Sequence, residues 1–196
     1  MASRAPETHA TDPRNPRRPH RHAPHPGRRR SLTSDRRPRG GDRHHRWLRQ
    51  DGEGIGPHPV ACPTDQVLLG RAHFGDENGE TTYYCGLILI DGQRVKVGAP
   101  SWSEAQRESN SFFAAPQNEV LVGRQHSGDE NGPTRYATAS LSAWGRTVEL
   151  TSYRWTPGQR EGSSHSKAGD YEVMVGRQHS GDENGQTGYQ YARIAG

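Results

Sequence analysis

Apolar residues along this chain come in short runs separated by polar and glycine-rich stretches. Val120-Leu121-Val122 and Val173-Met174-Val175 are β-favouring runs flanked by glycine and acidic residues. Thr147 to Tyr153 alternates, with Val148 and Leu150 on one face and Thr147, Glu149 and Thr151 on the other. Tyr136 to Ser142 alternates in part. Ile90-Asp91-Gly92-Gln93 and Ala143-Trp144-Gly145-Arg146 read as tight turns between strands, and Asp91-Gly92 is the stronger hairpin signal. No segment sustains a helical period, and the chain holds 24 Gly and 14 Pro. The pattern predicts an all-β fold of short strands.

The strands belong to a repeat. The motif GR-x-H-x-GDENG-x-T-x-Y occurs three times at an interval of 53 residues. The first copy holds Gly70, Arg71, His73, Gly75, Asp76, Glu77, Asn78, Gly79, Thr81 and Tyr83. The second holds Arg124, His126, Asp129, Glu130, Asn131, Thr134 and Tyr136 at the matching places, and the third Arg177, His179, Asp182, Glu183, Asn184, Thr187 and Tyr189. Trp102 and Trp155, Arg107 and Arg160, and Glu108 and Glu161 share the same interval, so a W-x(4)-R-E segment precedes a motif. A degraded version lies upstream, where Trp47 precedes Glu53 by six residues as Trp102 precedes Glu108. The half-unit 47–66 and the half-unit 173–196 complement each other. The expected architecture is therefore a closed, three-fold pseudo-symmetric domain of three to four strands per unit, β-prism or β-trefoil-like, with the chain ends meeting in one unit. Closure hides sheet edges.

Composition divides the chain. Residues 1–46 contain no Ile, Val, Phe or Tyr, and thirteen Arg against four acids leave about +9. Residues 47–196 carry eleven Arg and two Lys against eighteen acids, about −5. The net +4, the low hydrophobic content of 29% and the mean hydropathy of −1.09 thus average a basic tail with a mildly acidic body. We expect residues 1–46 to be a disordered Arg/Pro/His-rich tail and residues 47–196 to be the domain. The tail has no residue pattern of any fold, which fits a start placed upstream of the native one and a mature protein without it. Its arginines resemble the start of a signal peptide, but no apolar run of about 7–15 residues follows, so no signal peptide is expected in this chain. No stretch of about 18 apolar residues occurs, so no membrane-spanning helix is expected. Nucleic-acid binding by the body is disfavoured and would be nonspecific at most for the tail. Cys62 and Cys85 are the two cysteines. They either pair as a disulfide, if the protein is exported, or remain free and partly buried.

Two readings of the motif stand. GDENG is a turn by its chemistry, because glycine, Asp and Asn all favour turns, and a repeated fold repeats its turns. That account leaves Arg, His, Glu, Thr and Tyr unexplained. Copies two and three agree at thirteen of fifteen positions over 120–134 and 173–187, with Leu121 replaced by Met174 while the polar set stays, although recent duplication would give the same identity. The functional reading is glycan binding. Asp and Asn two residues apart can chelate adjacent sugar hydroxyls, and His or Tyr offers a flat face to the ring. Three weak sites on one body gain avidity. The expected ligand-binding residues are His73, Asp76, Glu77, Asn78, Tyr83, His126, Asp129, Glu130, Asn131, Tyr136, His179, Asp182, Glu183, Asn184 and Tyr189. An exported protein suits this function.

Asp129-x-Asn131 with Gln125 and Tyr136 resembles the Q-x-D-x-N-x-V-x-Y site of the monocot mannose-binding lectins. Here Tyr136 falls one residue later and Gln125 two residues earlier than in that pattern. The stretch Gly-Arg-x-His-x-Gly-Asp is similar to the DM9-type lectins. Both resemblances imply carbohydrate binding.

Calcium is the second reading of the acids, although a calcium site takes about six to eight oxygens and GDENG supplies few. A transition metal would need more than one His per site. Catalysis is not expected. Adjacent Asp and Glu on one turn point apart, whereas glycoside hydrolysis needs two carboxylates about 5–10 Å apart across a cleft. Arg and Glu recur in each unit and are either inter-repeat ion pairs or solvated charges. The expected function is a multivalent, lectin-like protein with one glycan site per repeat. The alternative is a structural or protein-interaction module, calcium-stabilised, with GDENG as a structural turn.

Overall fold

The computed structural model describes residues 60–76 and 78–195. The tail, its boundary at 46/47, Trp47, Glu53 and Glu77 lie outside these residues. The described chain is all-β. Its strands are β1 (Val60–Ala61), β2 (Gln66–Phe74), β3 (Glu80–Leu87), β4 (Leu89–Ile90), β5 (Gln93–Arg94), β6 (Lys96–Val97), β7 (Ser101–Trp102), β8 (Gln106–Arg107) and β9 (Asn110–Ala114). They continue with β10 (Glu119–His126), β11 (Pro133–Ala143), β12 (Arg146–Thr147), β13 (Leu150–Trp155), β14 (Gln159–Arg160), β15 (Ser163–Lys167), β16 (Glu172–Ser180) and β17 (Gln186–Ile194).

The frame is three long hairpins, β2–β3, β10–β11 and β16–β17, whose first strands pack on one another. Their registers match: Arg71 lies opposite Tyr83, Arg124 opposite Tyr136 and Arg177 opposite Tyr189. Each hairpin carries a register shift at its glycine, between Leu68 and Gly70, Leu121 and Gly123, and Met174 and Gly176. A bulge adds twist and bends the strand, which curls each sheet around the core. The core is filled by Val67, Leu68, Val120, Leu121, Val173 and Met174 from the first strands, with Leu141 and Ile194 from the second strands and Ile88 just after β3.

Short strands complete the sheets. β7 and β8 line the outer edge of β11, and β13 and β14 that of β17. On the other side β1 pairs with β10, β9 with β16 and β15 with β2. β15, which comes late in the chain, thus pairs with the first hairpin. Of the expected N-terminal half-unit 47–66, residues 47–59 lie outside the described residues. Among the described residues β1 joins the second hairpin, and β17 takes its outer neighbours from the chain just before it. Each W-x(4)-R-E segment pairs with the hairpin that follows it in sequence, and the next few residues cross to the neighbouring hairpin.

The turns formed as expected at both predicted sites. Asp91-Gly92 and Trp144-Gly145 all have positive φ, at 50, 79, 51 and 73°, and they join Ile90 to Gln93 and Ala143 to Arg146. Paired positive φ values give the tight hairpin turn whose twist matches its strands. The alternation around Val148 also holds in burial, although the backbone is not one strand: β12 ends at Thr147 and β13 begins at Leu150. Cys62 and Cys85 form a disulfide, with Cα atoms 5.7 Å apart, tying the residue after β1 to β3.

Candidate functional site

The repeated motif divides into a buried part and an exposed part. Arg71 and His73 lie on β2, and Tyr83 lies on β3. R-x-H and T-x-Y have the two-residue period of a single strand face, and that face points inward. Arg71, Arg124 and Arg177 are buried, as are Thr134, Thr187, His73 and His179, while His126 is partly exposed. Tyr83, Tyr136 and Tyr189 are 6%, 1% and 0% exposed, so their rings offer no face to a ligand in solvent. This corrects the expected stacking role of the tyrosines. Each hydroxyl accepts from an arginine of another hairpin instead: Arg124 Nη1 donates to Tyr83 at 2.9 Å, Arg177 Nη1 to Tyr136 at 3.3 Å and Arg71 Nη1 to Tyr189 at 3.3 Å.

The same arginines hold two glutamates. Glu161 Oε1 lies 2.7 Å from Arg71 and 3.0 Å from Arg177, and Glu108 Oε1 lies 2.6 Å from Arg177 and 2.8 Å from Arg124. Among the described residues, Glu108 and Glu161 therefore form buried inter-repeat ion pairs with Arg71, Arg124 and Arg177 rather than being solvated charges. Burial alone would raise both carboxyl pKa values. Arg124 and Arg177 outweigh it at Glu108, as Arg177 and Arg71 do at Glu161, and both stay far below the usual carboxylate range. The histidines sit beside this chain of charges. His126 Nδ1 is 3.9 Å from Glu108 and His179 Nδ1 3.8 Å from Glu161, whereas His73 Nδ1 is 2.7 Å from Thr81 Oγ1. Burial, followed by the neighbouring arginine, lowers all three histidine pKa values and keeps the rings neutral.

The exposed part is the GDENG turn. Asp76, Asp129 and Asp182 each use a carboxylate oxygen to accept from the backbone N–H of Asn78, Asn131 and Asn184, at 2.9, 2.9 and 2.8 Å. The last glycine donates back to the Asp carbonyl in each copy, at 2.8 to 2.9 Å. A Cβ on Gly132 or Gly185 would collide with the carbonyl of Ser127 or Ser180, so glycine is required there. Gly75, Gly128 and Gly181 have φ of 106, 86 and 93°, which excludes most other residues. Beyond these closures, Asn131 Nδ2 donates to Glu130 Oε1 and Asn184 Nδ2 to Glu183 Oε1, both at 2.8 Å. Arg160 reaches the Asn184 side-chain oxygen.

The turns are also joined to one another by main chain. Glu108 N–H donates to Gly132 O and Ser109 N–H to Glu130 O, and the Ser109 carbonyl accepts from Gly181 N–H of the next turn. Glu161 and Gly162 do the same between the third turn and the first, ending in Gly75 N–H to Gly162 O at 3.0 Å. The W-x(4)-R-E segment thus has a structural role that its spacing alone did not reveal.

Of the expected ligand-binding residues, Asp76, Asn78, Asp129, Asn131, Asp182 and Asn184 are exposed, and Glu130 and Glu183 are half-buried. Glu77 lies outside the described residues. No group of three or more His, Cys, Asp or Glu that could hold a metal ion occurs among the described residues. Comparison with protein-family models, curated proteins and solved structures finds no match to this chain.

Proposed function

We propose that this chain is a non-catalytic, multivalent carbohydrate-binding module, three-fold pseudo-symmetric and prism-like, whose sugar contacts are the exposed side chains of the GDENG turns. The cyclic order of the Tyr–Arg contacts, first hairpin to second, second to third and third to first, supports the pseudo-symmetry. Separate curled sheets, each built on one hairpin, favour the prism over the trefoil.

One observation carries the binding reading. The Asp carboxylate, the glycines and the backbone amides are sufficient to close the turn. The Glu–Asn pair closes nothing, yet recurs with the same 2.8 Å geometry at 130–131 and 183–184. Asn131 keeps a second N–H and a carbonyl oxygen, Asn184 keeps a second N–H beside an oxygen that Arg160 engages, and Asp keeps a second oxygen. That is a fixed set of donors and acceptors suited to vicinal hydroxyls. His and Tyr are not among the sugar contacts, because their polar atoms are held inside. The Cys62–Cys85 disulfide supports an oxidising, extracellular setting. The acidic turns argue against nucleic acid as a partner of the body.

A glycan array probed with the full chain tests this, once with calcium and once with EDTA. The reading expects binding to at least one glycan class in both conditions. A folded protein that binds no glycan would overturn it and leave the second reading, a structural or protein-interaction module. The main-chain bonds that tie successive turns together favour that alternative, since they give GDENG a purely architectural use.

A further inference from the structure

We propose that the sugar site at the third GDENG turn extends along the outer face of its own hairpin onto an aromatic platform, Phe112 and Trp155, and so takes a neutral oligosaccharide lengthwise. This rests on the reading of the turns given above. The face begins where the turn ends. Asn110, Ser180 and Gln186 lie side by side across β9, β16 and β17. Two residues further along come Phe112, Gln178 and Gly188, and then Gln190 with Trp155 of β13 beside it. Strand alternation sets these positions on the face opposite to Arg177, His179 and Tyr189, which point inward. From Gln186 to Gln190 the strand runs about 13 Å at about 3.4 Å per residue. A chain of linked sugars seated on the turn therefore meets the platform without leaving the sheet.

The platform is built and held. The Phe112 and Trp155 rings meet with centroids 5.2 Å apart and a tilt of 36°, although β16 and β17 lie between their strands. Gly188 has no side chain to stand between them. A Cβ there would lie 3.0 Å from Gln178 Nε2, and one on Gly176 would lie 2.9 Å from Gln190 Oε1, so both glutamine amides rest flat on the sheet beside the rings. Gln106 Oε1 accepts from Phe112 N–H at 2.8 Å, and Thr156 bonds the Tyr189 main chain through both its N–H and its hydroxyl, which fixes Trp155 beside it. Phe112 is nevertheless 59% exposed. An apolar ring surface flanked by amides that both donate and accept matches a pyranose, with its C–H face and its rim of hydroxyls. It is the stacking surface that the buried tyrosines do not offer. Charge selects a neutral ligand. The face positions on β9, β16 and β17 and Trp155 carry no ionisable group, and Arg160, opposite Gln186, turns to the Asn184 side chain and joins the face to the turn. The other two hairpins cover the matching place with a cation of their own. Arg135, 53 residues before Gly188, donates to Gln125 at 2.8 Å and lies over the Trp102 ring, and Lys167 Nζ lies 3.5 Å from the Tyr84 ring centroid. The extension is therefore a property of the third copy.

The test uses the full chain. Asn78→Ala/Asn131→Ala keeps the turn asparagine of the third copy alone, and calorimetry measures its affinity for the disaccharide and the hexasaccharide of glucose, of mannose and of N-acetylglucosamine. For at least one sugar the hexasaccharide is expected to bind more tightly than the disaccharide. Adding Phe112→Ala should weaken the hexasaccharide about tenfold and so remove the advantage of length, and Phe112→Tyr should keep it. Equal affinity for the two lengths, no binding by the third turn alone, or hexasaccharide binding indifferent to Phe112→Ala would overturn the extension and leave the turn reading standing. An unmutated chain that binds none of these sugars would overturn both. NMR of the unmutated chain gives a second readout that needs no variant to fold. The Gln178 and Gln190 side-chain amides and the Trp155 indole N–H are expected to shift with the hexasaccharide and not with hexa-arginine. Shifts with hexa-arginine alone would make the platform a cation site and refute the proposal.

Discussion

Replacing Glu161 by Gln removes one charge from the buried chain while keeping the side chain's size. Glu161 Oε1 lies 2.7 Å from Arg71 and 3.0 Å from Arg177, and both arginines are buried. In the variant two guanidinium groups face a neutral amide. Breaking a buried pair by removing one partner costs about 3–5 kcal/mol, because the remaining charge is desolvated without compensation. Gln keeps one acceptor oxygen, so we take the lower end, about 3 kcal/mol. For a domain of this size that lowers the melting temperature by roughly 10 °C. The assay is urea and thermal unfolding of Glu161→Gln beside Glu183→Gln, a half-buried turn position where the change should stay within about 0.5 kcal/mol. A second readout is the His179 pKa by NMR. Glu161 raises it, so its removal should drop it further. A Glu161→Gln cost below about 1 kcal/mol would refute the claim that the invariant Arg and Glu form the charged core.

Other expectations follow from the same residues. The three histidines are held neutral in the fold, with pKa values lowered first by burial and then by arginine. The unfolded chain takes up protons first as pH falls below about 6.5, so stability should decline from there in urea titrations at fixed pH. Glu108 and Glu161 have depressed folded pKa values, and a second, steeper loss should begin below about 4.3 as the unfolded carboxyls protonate. Reducing Cys62–Cys85, or replacing both by Ser, should cost about 3 kcal/mol by loop entropy, measured as the shift in urea midpoint. Trp144 is 55% exposed with φ of 51°, so Trp144→Asn should raise stability by about 1 kcal/mol in thermal unfolding.

The all-β class, the 53-residue spacing and both tight turns were legible because each rests on local chemistry. Asp91-Gly92 specifies its turn wherever it occurs. The ion pairs were legible only as a recurrence of Arg and Glu, since partners 90 and 69 residues apart along the chain leave no local trace. The tyrosines were misread for a physical reason. A Tyr near a polar turn looks exposed by composition, but T-x-Y places it on the inward strand face, where an arginine from another hairpin satisfies its hydroxyl. The unchanging polar set therefore reflects a charged core as much as a surface site. The path of the chain between hairpins was not legible, because strand partners depend on the crossing after each W-x(4)-R-E segment.

The central claim is that the motif is split, with Arg, His and Tyr building the frame and the turn's Glu–Asn pair meeting the ligand. The most direct measurement is glycan-array binding by Asn78→Ala/Asn131→Ala/Asn184→Ala beside the parent protein, with melting temperatures for both. Alanine keeps the backbone N–H that the Asp carboxylate accepts from, so the turn survives; Asp→Ala would remove that bond and confound fold with function. The account predicts that binding is lost and the melting temperature stays within a few degrees. Binding that persists in the variant would contradict it.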